Sequence, residues 1–586
     1  MVKIIISLML FFISFVAVAQ NDLDKIIVTP NLKETTIHES LNTVSVITKN
    51  EIRNYGYKSV DEILQHISSI NIGSNGGYGQ TKSIFLRGTE SNHTKVLIDG
   101  VNLNPGTLGV PSIQHISPHI IERIEISKSG MSTLYGRDTI GGVINIITNN
   151  KFDNDEVIIE AGKDETNKFG FNKNFSNDLH NFTMSFIELQ SDGYKAKVNS
   201  TKNHAYLNKN FNLGYLYNEK NHNFKINWYQ SVGNTEYDSF GTNLSQDHKD
   251  SLLKLSLTQK YNNYKDTFIL LNKINKIDQK ALNATDYTHT KSTEFNIHRN
   301  YYNLFNTDTI FGINVTNEKL SELSYGTKFK KENWIKELYF QSEYQIKKSI
   351  FNFGTRYVNH NVYGNFYSGN INLGRALTDK TKFIFAISKS FRPPDGTDLY
   401  GYGGNSNLEP EKSINSEISF KTKLSNYNGL IITFFNNNIK NLIESDGTTM
   451  QNINNAKIQG LEMTYYNKHG NLDYKFDYTL LNAKDINNNT DLSRRPKNKL
   501  TSKMSYNFPK NHKLAISMIS SDKSDNSIYD SNILGGYTIF NLTYLYDTID
   551  YTWKFNMNNI LNKKYRQAHN YNSEGRSYYI SFINNF

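Results

Sequence analysis

With 586 residues the chain is too long for one compact core, so at least two structural units are expected. A mean hydropathy of -0.57 excludes a bundle of membrane helices, while 38 Tyr and 34 Phe suit a transmembrane barrel, in which only alternate residues meet lipid, or a large soluble β-protein. The absence of cysteine excludes disulfides and thiolate metal sites, and the net charge of +10 is scattered as single lysines among asparagines, with no compact basic block for nucleic acid.

Residues 1–19 read as an export signal. Lys3 supplies the positive start, Ile4 to Val16 the apolar run, and Ala17-Val18-Ala19 a small-x-small site with cleavage expected after Ala19. The run is short for a membrane anchor, and no later segment is apolar enough for a membrane helix. Export followed by β-rich sequence points to the outer membrane.

The stretch from about 30 to 150 has mixed periodicity. Thr43 to Ile47 alternates as a strand, and Thr48 with Glu51 forms a capping box that starts a short helix. Ser59 and Glu62 repeat that pattern, and Val60, Ile63, Leu64 and Ile67 then share one helical face. Lys95 to Ile98 reads as a strand entering a tight turn at Asp99-Gly100. Ile120 to Ile126 and Val143 to Ile147 supply further buried elements. Three glycine-rich loops, at Asn75 to Gly79, Gly106 to Gly109 and Gly141-Gly142, could contact a bulky ligand, although on the loops alone plain turns are the favoured reading.

From residue 151 onward the period changes to two. Phe182, Met184 and Phe186 alternate with Thr183 and Ser185; Phe224, Ile226 and Trp228 alternate with Lys225 and Asn227. The same holds for Phe540, Leu542 and Tyr544, and for Trp553, Phe555 and Met557. Each set occupies one surface of a strand. The pattern leaves open whether the apolar set faces lipid or a dry interior. The last strand carries Tyr578, Ile580 and Phe582 on one side and the chain ends on Phe586, which resembles the assembly signal of outer-membrane barrels. At about 20 residues per strand and connection, residues 151–586 supply about 22 strands, and a cylinder of that size needs a plug.

These segments resemble the TonB-dependent receptors of the outer membrane along the whole mature chain. The likeness rests on Ser83 to Thr89, Val96 to Val101, Ile121 to Ile126, Leu134-Tyr135-Gly136 and Ile140 to Thr148, in the order and spacing of the family's plug. Asp24, Lys25, Ile26, Ile27, Val28, Thr29 and Pro30 resemble a TonB box, an extended segment suited to strand addition onto a partner. The resemblance implies a transmembrane β-barrel of about 22 antiparallel strands plugged by an N-terminal α/β domain, divided as signal 1–19, coupling segment 20–35, plug 36–150 and barrel 151–586. It also implies that Arg87, Arg123 and Glu125 are structural ties between plug and barrel.

Within the family, Asn75 to Gln80, Leu399 to Ser413, Ala456 to Glu462 and Arg494-Arg495 resemble the cobalamin-transporting branch. Phe391-Arg392-Pro393-Pro394 and Asn407-Leu408 are shared with many members, those for haem included; residues 391–408 lack the histidine usual in haem receptors. The branch implies ligand contacts at Thr81, Ser83, Glu90, Leu108 and Gly109 of the plug and near Ser239 and Arg494 of the barrel. Its calcium cluster is not expected here, because the corresponding segments read Gly193-Tyr194-Lys195 and Lys202 to Ala205, leaving Tyr237-Asp238 with Asp247 or Asp250.

The expected function is TonB-dependent active transport of cobalamin or a related corrinoid across the outer membrane, by a monomer embedded in lipid, with TonB and its inner-membrane energising complex as partners. A ferric-siderophore or other metal-chelate receptor is the alternative. A passive porin or adhesin needs neither residues 24–30 nor a plug. No cofactor, resident metal or nucleic acid is expected. Enzymatic activity is not expected either, since no nucleophile–base pair or phosphate loop stands in a consistent context. His66 and His93 read as structural.

Overall fold

Two kinds of sequence period produce two units, one inside the other. The computed structural model describes residues 26, 27, 32–149, 155–280, 286–304, 306–527 and 532–586. The expected signal, and Asp24, Lys25, Val28, Thr29 and Pro30 of the coupling segment, lie outside these residues.

The inner unit carries a five-stranded sheet in the order Val44–Thr48, Ile121–Ser127, Gly142–Thr148, Thr94–Ile98, Val101–Asn102. Only the Thr94–Ile98 and Gly142–Thr148 pair is parallel. The expected turn at Asp99-Gly100 is present, both residues holding positive φ as a two-residue hairpin of this twist requires. The capping box closes Lys49–Asn54: the Thr48 hydroxyl accepts from the Glu51 amide and the Glu51 carboxylate accepts from the Thr48 amide at 3.1 Å. At Val60–Gln65 the second box is only half formed. Ser59 caps Glu62, but the Glu62 carboxylate accepts from the Lys58 amide at 2.8 Å, one residue earlier than the pattern expects. Val60, Ile63, Leu64 and Ile67 are all buried, as their shared face requires.

The outer unit is a closed antiparallel barrel of 22 strands. Its first strand, Glu156–Gly162, pairs with Thr166–Ser176 on one side and with the last strand, Ser577–Asn585, on the other. The terminal aromatic strand therefore supplies the closing seam.

Burial decides which face is which. In the strand Glu411–Lys423, Glu411, Ser413, Glu417, Ser419 and Lys421 are buried, while Ile414 is 52% and Ile418 39% exposed. Asn541, Thr543, Lys554 and Asn556 likewise point inward, and Tyr544, Trp553 and Phe555 point out. A soluble sandwich has the reverse arrangement. This wall buries its polar face and presents its apolar face to lipid.

The lumen wall meets the plug through apolar clusters, such as Ile140 among Phe435, Ile458 and Leu481, and through many polar groups. Arg87 donates to Glu462 at 2.7 Å and to Glu417 at 2.9 Å. Lys421 donates to the carbonyls of Ile37, Ser40 and Asn42 at 2.8 to 2.9 Å, and Lys254 and Lys273 reach the carbonyls of Asp99 and Asn104 at 2.6 Å. Buried ammonium groups are thus balanced by plug backbone dipoles rather than by greasy contact. Of the expected structural ties, Arg87 crosses to the barrel; Arg123 pairs with Glu125 at 2.8 Å inside the plug sheet and braces that sheet instead.

Candidate functional site

The hairpin Ile70–Ser74 and Lys82–Leu86 lifts a plug loop toward the end of the barrel opposite Phe586. The tip is held from below: the Lys82 ammonium donates to the Ser74 hydroxyl at 2.6 Å and the Gly76 carbonyl at 2.8 Å. It is held laterally where the Gln80 amide donates to the Glu236 carbonyl at 2.6 Å. Gly79 has φ of +70°, and a Cβ there meets Tyr206 at 2.3 Å and the Thr235 hydroxyl at 2.6 Å. Only glycine lets the loop pass so close to the wall.

Beside this hairpin lies a basin of about 360 Å³, walled by Ser83, Phe85, Glu90 and Asn92 of the plug and by Glu444, Arg494, Arg495 and Asn526 of the barrel. The adjacent arginines do different work. Arg495 is buried, lies 4.1 Å over the Phe85 ring, and donates to Glu90 at 2.5 Å and to the Gly88 carbonyl at 3.0 Å. Arg494 adopts φ of +62°; its amide donates to the Asp525 carbonyl at 2.7 Å, its carbonyl accepts from Asn71 at 2.7 Å, and its guanidinium donates to the Asn526 carbonyl at 3.2 Å. One residue thereby fastens the plug hairpin and two barrel connections together.

Two arginines face two glutamates, so the basin is close to charge balance, and most remaining polar lining is hydroxyl or amide, from Ser91, Ser445, Ser493 and Ser527 with Asn92 and Asn526. Such a surface hydrogen-bonds a large, nearly neutral ligand. A polyanion needs an excess of cations that this basin lacks. Next to the basin, Arg392 binds Asp395, Asp398 and Glu411 at 2.7 to 2.9 Å, and Glu411 meets His93 of the plug at 2.9 Å. Burial, together with the Asp398 carboxylate, holds Asp395 well above the usual carboxylate range despite Arg392.

Of the residues expected to contact ligand, Ser83, Glu90 and Arg494 come together as basin lining. Gly109 borders it, since a Cβ there meets Asn92 at 3.1 Å and Asp395 at 2.8 Å. Leu108 is half-buried in the same loop, and Thr81 is exposed on the hairpin tip, both outside the basin lining. Ser239 sits at the tip of a long barrel hairpin, paired with Thr242, also outside that lining. Sequence reasoning missed Phe85, Arg495 and Glu444. The first two carried a usable signal: an aromatic ring in the plug motif and an arginine next to one already singled out.

Among the described residues no group of three or more His, Asp or Glu is placed to hold a metal ion. Asp238 pairs with Lys197 at 3.3 Å and with the Ser200 hydroxyl at 2.8 Å, His204 accepts from the Ala196 amide at 3.0 Å, and Asp247 pairs with Lys280 at 2.8 Å.

At the opposite end of the plug, Ile26–Ile27 forms a two-residue antiparallel ladder with Thr35–Thr36. Ile27 is buried among Ile37, Val44, Val46 and Tyr466. The ladder is only two residues long, and the burial of Ile27 adds to what holds the segment.

Comparison with known proteins gives the same architecture. Residues 36–143 match the TonB-dependent Receptor Plug Domain and residues 149–560 match the TonB dependent receptor-like β-barrel. The chain is 26% identical over 583 residues to a vitamin B12 transporter, BtuB, of Vibrio vulnificus, covering 95% of this chain and 93% of that relative. Among solved structures it resembles the siderophore receptor PirA of Acinetobacter baumannii, at a TM-score of 0.82 and 16% identity over 93% of this chain and 98% of that one. It also resembles the ferric enterobactin receptor PfeA of Pseudomonas aeruginosa, at a TM-score of 0.81 and 16% identity over 93% and 98% of the two chains. Both likenesses concern the fold. The chain belongs to the TonB-dependent receptor family and is an integral β-barrel of the outer membrane.

Proposed function

We propose that this receptor takes up cobalamin or a related corrinoid and passes it to the periplasm on energy delivered by TonB. The observation that carries the reading is the charge-balanced basin at the plug apex, lined by hydroxyl and amide groups. A corrinoid is a broad macrocycle fringed with neutral amides, which such a lining suits. A ferric catecholate is a compact polyanion, which it does not. The relative BtuB points the same way. Ser83, Glu90 and Arg494 form the floor, and Thr81, Leu108, Gly109 and Ser239 supply outer contacts to a ligand too large for the basin alone.

Residues 1–19 act as a removed export signal, 20–35 as the coupling segment, 36–150 as the plug and 151–586 as the barrel, and one chain is the working unit. Cargo in the basin loosens the plug, and the segment from Asp24 to Pro30 leaves its short ladder for strand pairing with TonB. Pulling then shears polar plug–wall contacts, which water replaces at little cost. A cavity of about 420 Å³ beside the plug sheet, flanked by Lys254, Lys273, Glu294 and Glu318, offers the space into which the plug is remodelled.

The siderophore reading has one observation in its favour, the shared overall shape with PirA and PfeA, which carries fold and not cargo. Direct binding separates the two readings. Purified receptor in detergent is titrated with cyanocobalamin, a ferric catecholate and a ferric hydroxamate. Tight binding of cyanocobalamin alone is expected; binding of an iron chelate with no response to cyanocobalamin overturns the corrinoid assignment.

A further inference from the structure

Beneath the plug apex lies a chamber whose charge differs from that of the outer basin. Its extent follows from the inward side chains of two neighbouring strands. Along Tyr287–Leu304, the Thr290 hydroxyl accepts from the Thr107 amide of the plug at 3.2 Å; nearer the Phe586 end, Ser292, Glu294, Asn296 and His298 line the cavity of about 420 Å³. Along Thr307–Ser324, Glu318 packs on Gly106, where a Cβ meets its carboxylate at 2.4 Å. Thr316 and Asn314 then line the cavity, and Ile310 packs with Leu32 at the lower end. The roof is therefore the plug loop 103–109, which carries the expected ligand contacts Leu108 and Gly109. The floor includes Leu32 of the coupling segment.

The guanidiniums of this lining are matched: Arg123 to Glu125, Arg137 to Glu318 with Asp138 behind it, and Arg356 to Glu337. The ammoniums are not. Among the described residues, none of Lys95, Lys225, Lys254 and Lys273 has a carboxylate within hydrogen-bond distance, and Lys273 comes no nearer to Glu318 than 3.9 Å. Of the carboxylates that remain, Asp99 is taken up by Thr148 and Asn227 at 2.6 to 3.3 Å. Glu294 faces Lys95, Lys273 and Arg356 without a close ion pair to any of them. Three of the ammoniums rest on single plug carbonyls at 2.6 Å: Lys95 on Tyr135, Lys254 on Asp99 and Lys273 on Asn104. An ammonium has three donors, so each keeps two to spare. Lys225 is half-buried on the strand paired with that of Lys254 and has no hydrogen-bond partner among the described residues. The basin above is balanced, whereas this chamber gathers four cations with donors unspent.

We propose that this chamber is a second station for the cargo on its way inward, where Lys95, Lys225, Lys254 and Lys273 bind the phosphodiester of the corrinoid's nucleotide arm. The proposal rests on the corrinoid reading and concerns the part of the cargo that the basin leaves unread. The basin suits the neutral amides around the macrocycle; a cluster of ammoniums suits the anionic arm. A chamber of about 420 Å³ admits an arm of that size and not the macrocycle. Occupancy also acts on the plug. Once pulling moves the roof, the phosphodiester competes with the carbonyls of Asp99 and Asn104 for Lys254 and Lys273, and opposite charge adds an attraction that a neutral carbonyl does not supply. The roof is thereby kept from closing again ahead of the cargo.

The test compares cyanocobalamin with dicyanocobinamide, which keeps the macrocycle and its amides and lacks the nucleotide arm. Accumulation of each is measured in energised cells that carry the full receptor and no other corrinoid receptor, and binding of cyanocobalamin is measured on wild-type outer membranes. Both cargoes need the same plug movement, so the ratio of their accumulation cancels any general loosening of the plug. Lys225→Gln with Lys254→Gln is expected to lower the cobalamin-to-cobinamide ratio about tenfold, and Lys225→Arg with Lys254→Arg to keep it. Assembly of each variant is checked by its heat-modifiable gel mobility. Lys225→Gln alone breaks no plug bond; it is expected to lower the ratio about threefold and carries the test if the double variant fails to assemble. A ratio unchanged in an assembled Gln variant overturns the second station and leaves the corrinoid reading standing. Wild-type membranes that do not bind cyanocobalamin overturn both.

Discussion

Replacing Arg87 by Met isolates the energetics of the plug seat. The guanidinium is buried, spans Glu417 and Glu462, donates to the Lys128 carbonyl at 2.6 Å and lies 4.5 Å over the Phe435 ring. Methionine keeps the length and the ring contact and deletes the charge. Glu462 then retains Lys128 at 3.2 Å, but Glu417 is left with the Thr43 hydroxyl at 3.0 Å as its main partner. Breaking a buried ion pair by removing one partner costs about 3–5 kcal/mol, most of it the stranded charge. Neutralising that charge should therefore restore much of the loss: Arg87→Met with Glu417→Gln is expected to recover about 2 kcal/mol relative to Arg87→Met alone. Pulse proteolysis of the plug across a urea series, in detergent where the barrel stays folded, reads both numbers. A plug in the single variant as resistant as wild type, or a double variant no better than the single one, refutes the stranded-charge reasoning.

Gly79→Ala places a methyl group against Tyr206 and Thr235 in a left-handed backbone conformation, and should cost about 2–4 kcal/mol of plug stability in the same assay, with weakened ligand binding. Arg495→Met strands Glu90 at the basin edge and should weaken cyanocobalamin binding about tenfold in a titration while the barrel melts at its usual temperature. Glu62 is held up at about 7 by burial, with Lys58 opposing the shift. Because that value is raised, the stabilising contribution is complete below the ordinary value near 4.5 and is lost as pH rises through about 7. Glu62→Gln should therefore stabilise the plug by about 2 kcal/mol at pH 8, the partial exposure of the side chain being allowed for, and change it little at pH 4, as read by proteolysis at the two pH values.

The barrel was legible because period two is a property of neighbouring residues. Phe182, Trp553 and Tyr578 advertise a strand face wherever the chain goes. Which face is wet is a property of closure, and Glu411, Glu417 and Lys421, unremarkable as sequence, identify it once they are seen buried. The basin was only half legible for a related reason. Up to Ile439 the strand Asn428–Ser445 turns its odd-numbered residues inward, which by simple alternation sends Glu444 out to lipid. The ladder shifts between Ile439 and Leu442, where Asn441 takes φ of +59°, and the bulge brings Leu442 and Glu444 inward. Arg494 and Arg495 are neighbours whose roles are separated by one left-handed residue. The plug caps were legible at Thr48, where both partners are local, and half legible at Ser59, where Glu62 has the Lys58 amide to choose instead.

Deletion of residues 24–30 tests the coupled transport reading most directly. In cells lacking any other corrinoid receptor, accumulation of radiolabelled cyanocobalamin and its binding to isolated outer membranes are measured for the intact and deleted chains. Binding should be equal in the two, with accumulation lost in the deleted chain. Accumulation that persists without the segment contradicts the account.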